Sequence, residues 1–264
     1  MTDRSYPHAG KALIKRYSKL QQKKYRDREG LFLAEGLRTV RELLHHIPDE
    51  DSLTALFVEP EQLQNLVPGE CVKNRIFITT PDESSRLSGT STAQGVVGVF
   101  RKPEITRDAL SAEGGSFVIA LDDVQDPGNV GTILRTAAWF GISALICGPG
   151  TVDIYNPKAI RASAGSVFGV DHYGVDNLYA ELKKMQQRDY TICCSSLEGN
   201  DFRAYHAWPE KIVLVIGNEA NGIGRDIMQL ADRHVAIPRG KAEQGVESLN
   251  AAVSAAILMA MLRL

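Results

Sequence analysis

Five polar residues, Asn129, Arg135, Glu219, Ser248 and Asn250, stand just beyond short apolar runs, where a strand would deliver a side chain to a ligand. The run 117–121 is apolar with β-branched members and reads as a strand buried on both faces of a parallel sheet. Residues 122–131 then turn: Pro127 presets φ, Gly128 permits a positive φ, and the Asn129 side chain can bond its own backbone. From Val130 the apolar residues Ile133, Leu134, Ala137 and Ala138 recur at helical spacing, and Gly141 sits where a helix C-cap is expected. Ligands of open α/β sheets bind outside the carboxyl ends of strands. Asn129 and Arg135 can therefore bring an amide and a guanidinium to one ligand; the plainer alternative is a turn asparagine and a surface arginine.

Two further strand ends are polar. The run 211–216 leads into Gly217-Asn218-Glu219-Ala220-Asn221-Gly222-Ile223-Gly224, whose glycines allow close backbone approach and whose only charge is Glu219. The run 234–237 leads through Pro238-Arg239-Gly240 to Glu247-Ser248-Leu249-Asn250. Leu249, Ala252, Val253, Ala256, Ile257, Ala260 and Met261 then follow at i, i+3, i+4 spacing, which predicts a one-sided helix turned to a core. Each polar residue has a structural alternative. Ser248 can be an N-cap worth about 1 kcal/mol, Glu219 can favour a helix N-terminus, and Asn250 can be a first-turn residue facing solvent. Parallel strands, however, place such ends along one edge, which favours a shared site.

Several chemistries lack their signatures. The first turn has no GxGxxG and the chain no GxxxxGK[ST], GxSxG or HExxH. The six histidines show no ligand spacing, so no metal is expected. Cys71, Cys147, Cys193 and Cys194 form no CxxC pair and read as reduced, mostly buried thiols.

The 264 residues, 44% hydrophobic and 23% charged, describe a globular chain long enough for two ordinary domains. No apolar run reaches the roughly 18 residues that span a bilayer. The start lacks the apolar core of a secretory signal, so a cytoplasmic location without membrane is expected. A net charge of −2 argues against wholesale coating of nucleic acid, yet Lys11, Lys15, Arg16, Lys19, Lys23, Lys24, Arg26 and Arg28 crowd one segment against Asp27 alone. Tyr17 and Tyr25 interleave with them, a composition suited to phosphate contacts and base stacking as well as to a solvated helix face.

Residues 101–115, with Pro103, alternating charges and Gly114-Gly115, read as a linker between domains 1–100 and 116–264. Before it, 31–34, 55–58, 76–79 and 96–100 look like strands, with helices at 37–46 and 81–87. This module carries no obvious catalytic cluster, which suits substrate binding. After it, strands at 117–121, 144–147, 190–194, 212–216 and 234–237 alternate with helices, which predicts a mostly parallel sheet with helices on both faces.

DPGNVGTILRTAAWFG, LVIGNEANGIG and VAIPRGKAEQGVESLNAAVSAAI together resemble, in order and spacing, the three motifs of the SpoU/TrmH branch of the SPOUT RNA methyltransferases. NPKAIRASAGSVFGV also resembles that family's pattern. RYSKLQQKKYRDREGLFLAEGLRTVRELL with TAQGVVGVF resembles the L30e-like substrate-binding domain found in many members.

The resemblance implies methylation of the ribose 2′-hydroxyl of RNA with S-adenosylmethionine. It also implies an α/β fold whose C-terminal part is tied in a deep trefoil knot, and a homodimer packed through that part. Catalysis would fall to Asn129, Arg135, Glu219, Ser248 and Asn250: Arg135 binding the phosphate beside the target ribose and activating its hydroxyl, Asn129, Ser248 and Asn250 orienting arginine and ribose, Glu219 fixing the loop or the arginine. Ser196, Leu197, Ile216, Gly217, Ile237 and Leu249 would hold the cofactor, and Arg16, Lys23, Lys24, Arg161 and Ser163 would contact RNA. Gln244-Gly245-Val246-Glu247 departs from the most familiar pattern and leaves substrate preference open. The L30e-like module places ribosomal RNA ahead of transfer RNA, and a non-catalytic RNA-binding protein on the same fold is the alternative from another class.

Overall fold

The computed structural model describes residues 6–66, 74–90, 92–104, 117–205, 207–240 and 247–263. Most of the expected linker, Cys71 and Gln244 to Val246 lie outside them. The chain forms two compact units: Met1–Glu104 with Asp153–Gly169, and Ile105–Val152 with Val170–Leu264. Sequence reading left 153–169 in the second domain; these residues pack instead in the first unit.

In the first unit, helices α1 (Lys11–Ser18) and α2 (Lys23–Glu29) precede strand β1 (Leu31–Glu35), helix α3 (Leu37–His46) and strand β2 (Leu53–Val58). Strand β3 (Ile76–Ile78), helix α4 (Pro81–Ser88) and strand β4 (Val96–Arg101) follow. The sheet runs β1-β4-β2-β3, antiparallel except for β2 with β3. Ile14, Tyr17 and Leu20 pack on one of its faces with Leu33, Phe57 and Val99. Segment 153–169 joins through Phe32, whose ring lies 5.1 Å from Tyr155 and 6.0 Å from Phe168. Asp153 also accepts from Arg26 Nη2 at 2.6 Å and Nε at 2.9 Å, and that guanidinium donates to the carbonyls of Leu20 and Gln21. Removing either partner would leave a buried charge unpaired, which holds the segment to this unit.

The second unit holds β5 (Phe117–Asp122), α5 (Pro127–Trp139), β6 (Ala144–Cys147), β7 (Asp171–Gly174), α7 (Leu178–Gln186) and β8 (Thr191–Asp201), with α6 (Pro157–Ser163) lying in the first unit between them in sequence. Strand β9 (Ile212–Gly217), α8 (Arg225–Leu230), β10 (Arg233–Ala236) and α9 (Ala251–Arg263) complete it. All pairs in the order β10-β8-β9-β5-β6-β7 are parallel. The central strands are buried along their lengths, as their continuous apolar runs require. Alternate residues face opposite ways: Val118, Ala120, Val213 and Val215 meet Leu178, Leu182 and Met185 of α7 on one face. On the other, α9 packs against α5. Strand order reverses at β5, so the carboxyl ends of β5 and β9 lie at the switch point where such sheets bind ligands.

Four local expectations change. Helix α5 starts at Pro127 rather than Val130, because Asp126 caps it by accepting from the Asn129 amide at 2.8 Å and proline needs no donor there. Strand β8 continues past Cys194 through mostly polar residues to Asp201, because β10 pairs with it again at Asn200 and Asp201 after a shift in register. The polar edge strand β7 had no apolar signal. Helix α9 buries Ala251, Ala252, Ala255, Leu258 and Met259, while Val253 and Met261 are each 47% exposed. It is apolar almost all round, so spacing alone fitted a second face.

Candidate functional site

The three polar strand ends converge. β5 and β9 pair in register to Asp122 opposite Gly217, so both loops leave the sheet side by side. The loop after β9 folds back at once: Asn218 and Gly222 exchange backbone hydrogen bonds of 3.0 and 2.9 Å. A Cβ on Gly217 would stand 2.5 Å from the Gly222 carbonyl carbon, so only glycine fits. Asn218 uses its whole side chain here. Its Oδ1 accepts from Ala220 N (2.8 Å) and Asn221 N (3.0 Å), and its Nδ2 donates to the Asp123 carbonyl (2.9 Å) and carboxylate (3.1 Å). Asp122 accepts from Gly224 N at 2.7 Å. Two successive carboxyl residues, Asp122 ending β5 and Asp123 following it, thus hold both ends of the glycine-rich loop. Sequence reading passed over Asp122, Asp123 and Asn218; the available signal was an asparagine two and three residues ahead of the amides it caps.

A cavity of about 920 Å³ opens beside this loop. Ser196, Leu197, Ile216, Gly217, Ile237 and Leu249, the six expected cofactor residues, all line it, as do Glu219 and Ser248. Arg239 helps close the wall by donating to the Glu247 carbonyl. Apolar side chains suit a flat ring, while Glu198, Glu219 and Glu247 suit a cation. The volume is that of a small-molecule site.

At the rim, Asn250 Nδ2 donates to Asn129 Oδ1 at 2.9 Å, and Asn129 Nδ2 donates to Glu219 Oε1. Asn250 Oδ1 accepts from Ala252 N (2.9 Å) and Val253 N (3.2 Å). Asn250, not Ser248, therefore caps α9. One residue from each motif thus enters a single hydrogen-bonded chain. Arg135 stands apart, exposed on α5, outside both this chain and the cavity lining.

The expected RNA-contact residues lie in the first unit. Lys11, Lys15, Arg16, Lys19, Lys23, Lys24 and Arg28 are exposed on α1 and α2 or between them, and Lys19, Lys24 and Arg28 surround the Tyr25 ring at 4.9 to 5.5 Å. Arg16 pairs with Glu29 at 3.1 Å and Lys23 with Asp27 at 2.6 Å. Tyr17 is buried and cannot stack on a base. Ser163 is corrected likewise: it is buried and donates to the Ile160 carbonyl at 2.8 Å. Arg161 reaches the surface but is held by Glu35. Among the described residues no helix is long and apolar enough to cross a membrane.

Residues 116–260 match the SpoU rRNA Methylase family, and residues 11–98 match the MRM3-like substrate binding domain. The chain is 30% identical to the 23S rRNA (guanosine(2553)-2'-O)-methyltransferase RlmP of Bacillus subtilis over 95% of each chain. A putative RNA methyltransferase of the TrmH family from Porphyromonas gingivalis superposes with a TM-score of 0.80 at 29% identity, covering 97% of this chain and 98% of that one. An AdoMet-bound rRNA methyltransferase from Sinorhizobium meliloti superposes at 0.81 with 26% identity, covering 98% and 97%.

Burial raises the Asp122 carboxyl above its ordinary range; the Gly224 amide opposes this, and Asp226 and Asp123 add to it. A folded-state pKa above the unfolded one makes stability fall as pH rises through that window. Asp122→Asn keeps an acceptor for Gly224 without the charge. Its thermal midpoint should exceed wild type at pH 8, with the advantage gone below about pH 4. Calorimetry across pH checks this; a pH-independent difference would contradict it.

Proposed function

The chain belongs to the SpoU rRNA methylase family, and on that premise we propose that its cavity and rim form the site at which ribosomal RNA is methylated. The enzyme is an S-adenosylmethionine-dependent RNA 2′-O-ribose methyltransferase. One observation carries the site assignment: the Asn250–Asn129–Glu219 chain stands on the edge of a cavity lined by all six expected cofactor residues.

The cofactor supplies an electrophilic methyl group on a sulfonium. When bound, it would give that methyl group to the ribose 2′-oxygen, whose proton would pass to water or phosphate. The protein's part is chiefly positioning, since a nucleophile held at roughly 3 to 3.5 Å in line gains most of the available acceleration. Leu197, Ile237 and Leu249 would enclose the adenosine, and backbone groups around Gly217 would hold it. Asn129 and Ser248 orient the ribose. Arg135, outside the cavity, takes the adjacent phosphate and stabilises the developing alkoxide electrostatically; a guanidinium carries its charge throughout and offers no acceptor, so it is unsuited to act as a base.

The exposed basic residues of α1 and α2, in the domain that matches a substrate-binding family, bind RNA. The protein acts as a homodimer in the cytoplasm, where the bacterial relative's substrate class is found. Val253 and Met261, with half-buried Ile257 between them, support pairing: they form an aliphatic stripe on α9 that the described residues leave partly open. The return of α9 from the edge strand β10 to α5 supports the knotted threading of the family.

Arg135→Ala should lower methyl incorporation from labelled S-adenosylmethionine into ribosomal RNA about 100-fold, with cofactor affinity unchanged in calorimetry. Turnover near wild type would remove Arg135 from the site. Met261→Asp should convert a dimer into a monomer in analytical ultracentrifugation; an unchanged sedimentation profile would locate the contact elsewhere.

A further inference from the structure

The last residue of α5, Trp139, is 85% exposed, more than any other large hydrophobic side chain among the described residues. It follows Arg135 by four residues, and Thr132, also exposed, precedes Arg135 by three. Residues at these spacings are neighbours on a helix surface, about 5 to 6 Å apart at Cβ. Thr132, Arg135 and Trp139 therefore form one exposed stripe of a hydroxyl, a cation and an indole.

Trp208 shows how the chain treats an indole that it uses for packing. Its ring lies 4.9 Å from Tyr205 and 5.3 Å from the Arg233 guanidinium. Trp139 has no such neighbour among the described residues.

We propose that Trp139 is a stacking platform for a nucleobase of the substrate RNA, flanking the nucleotide whose phosphate Arg135 holds. This rests on the methyltransferase reading above and deepens it. Protein interfaces are enriched in Trp and Arg too, so what selects RNA here is the position of Trp139 one helical turn from Arg135, the residue assigned above to the substrate phosphate. Single-stranded nucleic acid is held where cations stand beside exposed aromatic faces, which describes α5. Stacking does not select a base, so Trp139 confers affinity and register on an unpaired segment rather than sequence preference.

The test uses the full chain with Trp208→Phe, so that Trp139 is the sole indole, and ribosomal RNA from a strain lacking the enzyme. RNA should quench the Trp139 emission. Trp139→Ala should raise KM for RNA about 10-fold with kcat nearly unchanged. Its S-adenosylmethionine affinity and sedimentation should match the parent, and Trp139→Phe should recover most of the loss. Unquenched emission or an unaltered KM would overturn the proposal, as would dissociation of a dimer by Trp139→Ala, which would assign the indole to a second copy. The quenching reads the indole directly and needs no turnover, so failure of the methyltransferase reading appears separately, as wild-type enzyme that neither binds the cofactor nor methylates.

Discussion

The side-chain amide of Asn250 works in two directions at once. Its oxygen accepts from the first free amides of α9, and its nitrogen donates to Asn129, which donates in turn to Glu219. The polarity of this chain is fixed at both ends. Glu219 presents an acceptor, so Asn129 must offer it nitrogen and turn its oxygen outward; a helix N-terminus presents only donors, so Asn250 must offer it oxygen. A flip would lose two bonds at Asn129 and three at Asn250. Loops that follow three different strands are thereby held in one arrangement, and each bond contributes only about 1 kcal/mol to stability. The larger effect is geometric.

The rest of the second unit can be understood as support for that chain. The parallel pairing of β5 with β9 brings two loops to one edge. Asp122 and Asp123 then hold the glycine-rich loop at Gly224 and Asn218, which places Glu219 within reach of Asn129. Burial of Asp122 costs stability at neutral pH, as expected where a carboxylate is kept for position rather than for strength. Gly217 completes the arrangement, since any side chain there would strike the returning strand of the loop.

Much of this was legible in the sequence, and what was missed has physical causes. Continuous apolar runs located β5, β6 and β9, because strands buried on both faces need them. β8 was cut short at Cys194, since β10 pairs again only at Asn200 and Asp201 after a break in register, and Leu197 is the one apolar residue of 195–201. The polar residues of the site were visible as types at strand ends, but their bonding was not. Ser248 and Asn250 are both good caps, and only the fold decides that Asn250 caps α9. Asn218 was overlooked because its partners, Asp123 and the Ala220 and Asn221 amides, are brought together by a turn that leaves no periodic signal. The buried face of α9 was misjudged for the opposite reason: an excess of apolar residues fits two faces, and the open one carries Val253 and Met261.

The most direct measurement is the methylation rate of Asn250→Asp. Aspartate still accepts from the Ala252 and Val253 amides, so the α9 cap, the thermal midpoint and S-adenosylmethionine affinity should stay near wild type. It cannot donate to Asn129, so single-turnover methylation of ribosomal RNA should fall about 100-fold, the scale of a misplaced reacting group. A rate equal to wild type, with fold and cofactor binding intact, would contradict the central role given to the Asn250–Asn129–Glu219 chain.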